Sequence, residues 1–256
     1  MGKNKYFFCL CYDGTRYHGW QFQPNALTVQ QVIEEKLELL VGERVAVMGC
    51  GRTDTGVHAA HFYLHCSFDL KRYTTEEFCF KLNQILPHDV SISKIIAVKQ
   101  SAHARFDAVS REYRYYLHQK KNPFVQPYSY LYLRELNLEA MSKAGECLLT
   151  HRDFTSFSKL HTDVYTNDCE VSFFQIVELG EGKIEIIITA NRFLRNMVRC
   201  IVGTLLEVGI GKITVADFDR IIHSKNRSNA GASAPAKGLF LHQVKYPLGY
   251  FTDKIK

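Results

Sequence analysis

The sequence predicts an α+β fold made of two α/β halves, and three observations lead there. Short aromatic or alternating runs give way repeatedly to runs with helical spacing. Up to about residue 105 the order is strand, helix, strand, helix, strand, and the remainder repeats the theme less evenly. A chain of 256 residues with 46% hydrophobic residues is also long enough to bury two cores. The expected division is 1–104 and 105–256.

Residues 6–12 are aromatic and aliphatic and stop at Asp13-Gly14, a strand and a turn. Thr28 with Gln31 reads as a capping box for a helix whose Val29, Val32, Ile33, Leu37 and Leu40 share a face, ended by Gly42. From His61 to Phe68 apolar and polar residues alternate, a half-buried strand. Thr74 with Glu77 opens a second helix, with Phe78, Leu82, Ile85 and Leu86 on one side before Pro87. Ser91 to Lys99 is a further strand, so one face of this first sheet is expected to carry helices. Ser110 to His118 reads as a strand and Lys120 to Pro127 as a polar connection. Asn137 caps a helix holding Leu138, Met141 and Leu148. Cys169–Glu178 and Lys183–Ala190 pair as a hairpin across Gly180-Glu181-Gly182. A helix is expected from about Arg192 to Glu207, and a short one from Thr214, boxed with Asp217. Residues 226–238, rich in Ser, Ala, Asn and Gly, read as a flexible loop, and Leu239 to Tyr246 as a last strand.

The net charge is +6, from 32 Lys and Arg against 26 Asp and Glu, which suits a polyanionic partner without proving one. Its distribution says more. Arg105, Arg111, Arg114, Lys120 and Lys121 cluster with Tyr113, Tyr115 and Tyr116 interleaved, opposed by Asp107 and Glu112. Eight cysteines without a Cys-x-x-Cys pair read as free thiols of a reducing compartment. With no signal-peptide core and no membrane-spanning run, the expected location is cytoplasmic.

Several chemistries lose ground. There is no His-Glu-x-x-His, Cys-rich cluster, Gly-x-Ser-x-Gly elbow or dinucleotide fingerprint. His61 and His65 lie four apart on a strand, a poor chelating spacing. Gly209-Ile210-Gly211-Lys212 fails as a phosphate loop because Leu206 stands where its leading glycine belongs and Ile213 follows the lysine. ATP, NAD and metal-driven chemistries all lose ground.

The run Gly51-Arg52-Thr53-Asp54-Thr55-Gly56-Val57-His58-Ala59-Ala60 remains. Its glycines permit sharp bending and close approach of a ligand. Asp54 could close an Asx turn or face a substrate. A guanidinium nearby favours the carboxylate form in which an aspartate acts as nucleophile or base. Spacing alone leaves these two readings balanced.

This run resembles the signature of the TruA family of tRNA pseudouridine synthases. Other blocks resemble the family in the same order: Tyr12-Asp13-Gly14-Thr15-x-Tyr17-x-Gly19-Trp20-Gln21, Ala104-Arg105-Phe106-Asp107-Ala108, Tyr113-Arg114-Tyr115 and Asp153-Phe154-Thr155-Ser156-Phe157. The last two are Asn191-x-Phe193-Leu194-Arg195-Asn196-Met197-Val198-Arg199-x-Ile201-Val202-Gly203 and Ala230-Gly231-Ala232-x-Ala234-Pro235-x-x-Gly238-Leu239. The resemblance implies isomerisation of uridine to pseudouridine in the anticodon stem-loop of tRNA, at positions 38 to 40, without cofactor and usually by a homodimer. It implies two ferredoxin- or RRM-like halves whose mostly antiparallel sheets join around a central catalytic cleft. By motif position Asp54 is the catalytic aspartate, Tyr113 stacks on the target base, Arg199 pairs with the aspartate, and Arg52 helps to hold the flipped nucleotide.

The reaction breaks N1–C1′ and rejoins the base through C5, so atoms and electrons balance within the substrate. The nucleotide must leave its stack first, which calls for an arginine and an aromatic platform. Arg111, Arg114, Lys120, Lys121, Arg192 and Arg195 are candidates for tRNA contact, and His58 either touches the substrate or pins the loop. Two other classes compete. An RNA-binding protein that had lost catalysis predicts a non-acidic residue at position 54. A nucleoside hydrolase fits the bond cleaved but not the paired basic segments.

Overall fold

The computed structural model describes residues 3–71, 73–159 and 165–251. By internal contacts the chain forms two compact units, Met1–Val109 with Leu241–Lys256, and Ser110–Phe240. From Leu241 onward the C-terminal segment groups with the first unit. Both units mix helices with open, largely antiparallel sheet, an α+β architecture.

The first unit contains strand β1 (Asn4–Tyr12), helix α1 (Val29–Val41), the two-residue strand β2 (Met48–Gly49), β3 (His58–Phe68), α2 (Thr75–Ile85) and β4 (Val90–Val98). β1 lies between β4 and β3, antiparallel to both, and β2 adds to β3. Thr28 caps α1 by accepting from the Gln31 amide, while the Gln31 side chain turns to Glu35. That cap is therefore one-sided, whereas the Thr74–Glu77 box on α2 is complete. Gly42 ends α1 at φ 84°, the left-handed conformation that glycine adopts without steric cost. Phe8, Leu10, Phe62, Leu64 and Phe68 are fully buried, each such side chain contributing about 1.5–3 kcal/mol. The second sheet face is covered as well, because Phe7 and Tyr63 pack against Tyr246 and Phe251.

The second unit begins with β5 (Ser110–His118), followed by β6 (Tyr130–Leu131), α3 (Leu138–Glu146), β7 (Val171–Gly180), β8 (Lys183–Ala190), α4 (Met197–Gly209) and α5 (Val215–His223). β8 is antiparallel to both β5 and β7, and β6 joins β5 in parallel. Ile184, Ile186 and Ile188 of β8, with Met197, Ile201 and Leu205 of α4, are buried core. The last strand, β9, spans Leu239–Lys245.

Two expectations are corrected here. The helix foreseen from Arg192 begins only at Met197, because Asn196 adopts φ 66° and breaks the helical path. The loop foreseen as flexible is tied down: Ala234 N–H donates to the Arg199 carbonyl, and Gly231 N–H to Thr204 Oγ1. Its composition is that of a loop, and its hydrogen bonds are those of an anchored segment.

Candidate active site

In the first unit the Asp54 loop is gripped by the preceding motif, residues 12–21. Thr53 is the pivot. Its hydroxyl meets Tyr12 Oη at 2.9 Å in a buried contact, and its carbonyl accepts from Trp20 N–H at 3.2 Å. Gly56 N–H donates to the Tyr17 carbonyl, and Val57 N–H closes a turn onto the Asp54 carbonyl. Two glycines make this approach possible. A Cβ on Gly14 would lie 2.0 Å from the Val57 carbonyl oxygen, and one on Gly19 would lie 2.4 Å from that of Thr53. Gly19 also sits at φ 87°, so a side chain there is strained as well as crowded.

Beneath the loop Trp20 stacks on Phe62, with ring centroids 4.1 Å apart. Gly49 of β2 lets the indole in, since a Cβ there would come within 2.6 Å of it. Tyr17 Oη donates to Asp89 at 2.6 Å, anchoring the 12–21 segment to the turn before β4. Burial, followed by that acceptor, raises the Tyr17 hydroxyl well above the usual phenol range. Asp13 closes an Asx turn, its carboxylate accepting from the Thr15 amide and hydroxyl.

Asp54 is half-buried and Arg52 exposed. Arg52 Nε donates to Gln21 Oε1 at 3.2 Å, so the guanidinium is borne by the same 12–21 segment. His58 is only 1% exposed. Its Nδ1 accepts from Gly14 N–H, and Asp13 Oδ1 lies 3.0 Å from the same nitrogen.

The second unit carries a comparable grip around Arg199. Arg199 Nε donates to the Ala234 carbonyl at 2.7 Å while Ala234 N–H returns a bond to the Arg199 carbonyl. Asn196 Nδ2 reaches Ser233 Oγ, and Gly203 admits the same loop, because a Cβ there would lie 1.7 Å from the Ala232 oxygen. Tyr115, fully buried, donates to the Pro235 carbonyl at 2.8 Å. Tyr113, two residues earlier on β5, is half-buried and meets Phe193 edge-on at 5.0 Å. Arg111 donates to the Asn191 carbonyl. Thus Arg111, Tyr113 and Arg199 all rest on residues 191–199 or on the loop that grips them.

The remaining cations differ in availability. Arg114 is held by Glu112 at 2.9 Å and Glu185 at 3.0 Å, and these two partners raise its pKa against the cost of burial. Arg192 donates to the Thr166 carbonyl and Arg195 is exposed. Lys120 and Lys121, with His118, Asn122, Val125, Glu181 and Lys183, line a cavity of about 290 Å³. Single-residue reasoning does not find the partners Tyr12, Gln21, Asn196 and Ser233, although all but Ser233 lie at named positions of the matching blocks.

A family model described as tRNA pseudouridine synthase matches residues 9–107 and 147–247. The chain belongs to that family. Arg52, Asp54, His58 and Arg199 fall within the matched residues, and Tyr113 lies between the two segments. Curated relatives match over more than nine-tenths of both chains. The tRNA pseudouridine synthase A of Porphyromonas gingivalis is 49% identical over 252 residues, covering 96% of this chain and 99% of the relative. That of Bacteroides fragilis is 46% identical, covering 98% and 100%. The more distant protein of a Thermoanaerobacter species is 39% identical, covering 92% and 96%.

Proposed function

We propose that this tRNA pseudouridine synthase acts on the anticodon stem-loop, at positions 38 to 40, with Asp54 as the catalytic carboxylate. The observation that carries the reading is the grip of residues 12–21 on the Asp54 turn. A carboxylate that must meet one ribose atom gains from a backbone fixed in advance. N1–C1′ breaks and C5–C1′ forms, while the C5 proton leaves and N1 regains one, so the reaction needs no outside oxidant or energy source. Attack at C1′ and removal of the 2′ proton both call on Asp54, and both require water to be kept from the intermediate.

In this proposal Arg199 supplies the counter-charge to Asp54, Tyr113 stacks on the uracil, and Arg52 holds the nucleotide outside its stack. Arg111, Lys120, Lys121, Arg192 and Arg195 contact tRNA phosphates, while Arg114, tied to two carboxylates, orients β5 instead. Two ferredoxin- or RRM-like halves around a catalytic cleft, a cytoplasmic location and a homodimer complete the reading, which rests on the family pattern. No helix among the described residues is long and apolar enough to cross a membrane. The test is incubation with unmodified tRNA followed by position-by-position mapping of pseudouridine. Product at 38 to 40 is expected, and product confined to another arm overturns the substrate assignment.

A further inference from the structure

We propose that His151, Asp219 and His223 of the second unit form a binding site for a divalent transition-metal ion. Asp219 and His223 are four residues apart on α5, a spacing that brings side chains together one turn apart on the same helix face. His151 comes from the segment after α3. His151 Nε2 lies 2.8 Å from Asp219 Oδ1, and His223 Nε2 lies 3.6 Å from Asp219 Oδ2. The two imidazoles meet edge-on with centroids 4.6 Å apart. One donor atom from each residue falls within 4.8 Å of the other two.

A metal held by imidazole nitrogen and carboxylate oxygen at roughly 2.0–2.2 Å separates its ligands by a little over 3 Å. Binding would open the His151–Asp219 contact and draw His223 closer to the other two. Two nitrogens and one oxygen suit zinc, cobalt, nickel or copper, whereas magnesium and calcium prefer an all-oxygen shell. Side-chain exposures of 14%, 41% and 68% for His151, Asp219 and His223 leave a hydrated ion a path from one side.

The site would lie on a junction already made by other means. Ser156 Oγ donates to the Ile221 carbonyl of α5 at 2.6 Å. Lys225, just beyond the helix, pairs with Asp153. A metal at His151 would bind α5 to the 151–156 segment at a further point, stabilising the second unit by mass action. Cys147 is a soft donor that feels Asp219: burial, followed by the Asp219 charge, raises its thiol.

The test titrates chelator-treated protein with zinc chloride, followed by calorimetry and by thermal unfolding. One saturable zinc per chain and a higher melting temperature are expected. His151→Ala and His223→Ala should each weaken binding by more than the roughly 10–100-fold typical of an outer-shell change. Both variants should unfold like the parent in chelator, which separates ligand loss from misfolding. Cys147→Ser should bind zinc unchanged, and the cobalt-loaded protein should lack a thiolate charge-transfer band. Absence of saturable binding, or binding retained in the doubly substituted His151→Ala, His223→Ala protein, overturns the proposal.

Discussion

The Asp54 loop of the first unit and the Arg199 helix start of the second are held in different ways. Around Asp54 the grip is mainly backbone, through the carbonyls of Thr53 and Tyr17 and the close approaches allowed by Gly14 and Gly19. Around Arg199 the guanidinium side chain is itself part of the grip, since its Nε bonds the Ala234 carbonyl that fixes its orientation. The first arrangement holds the backbone that carries the carboxylate, and the second fixes a guanidinium directly. A reacting group gains from a positioned backbone and a counter-charge from an anchored side chain, and the proposed roles follow that division.

The comparison breaks most visibly at the glycines. Gly203→Ala drives a methyl into the Ala232 carbonyl and should cost more than about 2 kcal/mol of stability, read by urea unfolding. Gly19→Ala strains a positive φ and pushes on Thr53, so its kcat should fall by more than its stability loss explains. Equal kcat in the Gly19→Ala protein would show that the loop does not depend on this grip.

A smaller effect is expected at Tyr113. Loss of base stacking costs about 1–3 kcal/mol, so Tyr113→Ala should lose roughly 5- to 150-fold in kcat/KM while Tyr113→Phe keeps most of it. Equal losses in both variants would assign the work to the hydroxyl. Smaller again, Lys120→Gln with Lys121→Gln should reduce the salt slope of tRNA binding by about 0.7 for each phosphate no longer neutralised, with single-turnover chemistry intact.

A further effect concerns acid. Burial, followed by the charges of His103 and Lys5, pushes His65 down to about 4 from an ordinary 6.5. The unfolded chain therefore binds a proton that the folded chain refuses. Stability should be undiminished above pH 6.5 and fall as pH drops toward about 4. His65→Gln should flatten that fall in urea titrations across the range.

Local chemistry makes much of the fold legible. Thr74 and Thr214 show complete boxes, Asn137 a cap, and Gly180-Glu181-Gly182 a hairpin turn, because each is decided by residues near in sequence. β2 and β6 are not legible, being two-residue strands that exist only through distant pairing partners. The start of α4 escapes because helical spacing at 192–196 cannot reveal the positive φ of Asn196. Loop 226–238 reads as mobile because its anchors, Arg199 and Thr204, lie far away in sequence. At the site, spacing alone leaves Asp54 balanced between turn and substrate, and only the resemblance of several blocks picks it out; the reason its backbone holds position, a second motif wrapped around Thr53, is a tertiary fact.

The most direct measurement is single-turnover pseudouridine formation by Asp54→Asn at saturating unmodified tRNA, with tRNA affinity measured in parallel. Asparagine keeps the shape of the side chain and removes its charge. No detectable pseudouridine at positions 38 to 40 is expected, with tRNA binding falling far less. An Asp54→Asn protein that forms pseudouridine at the parent rate would contradict it.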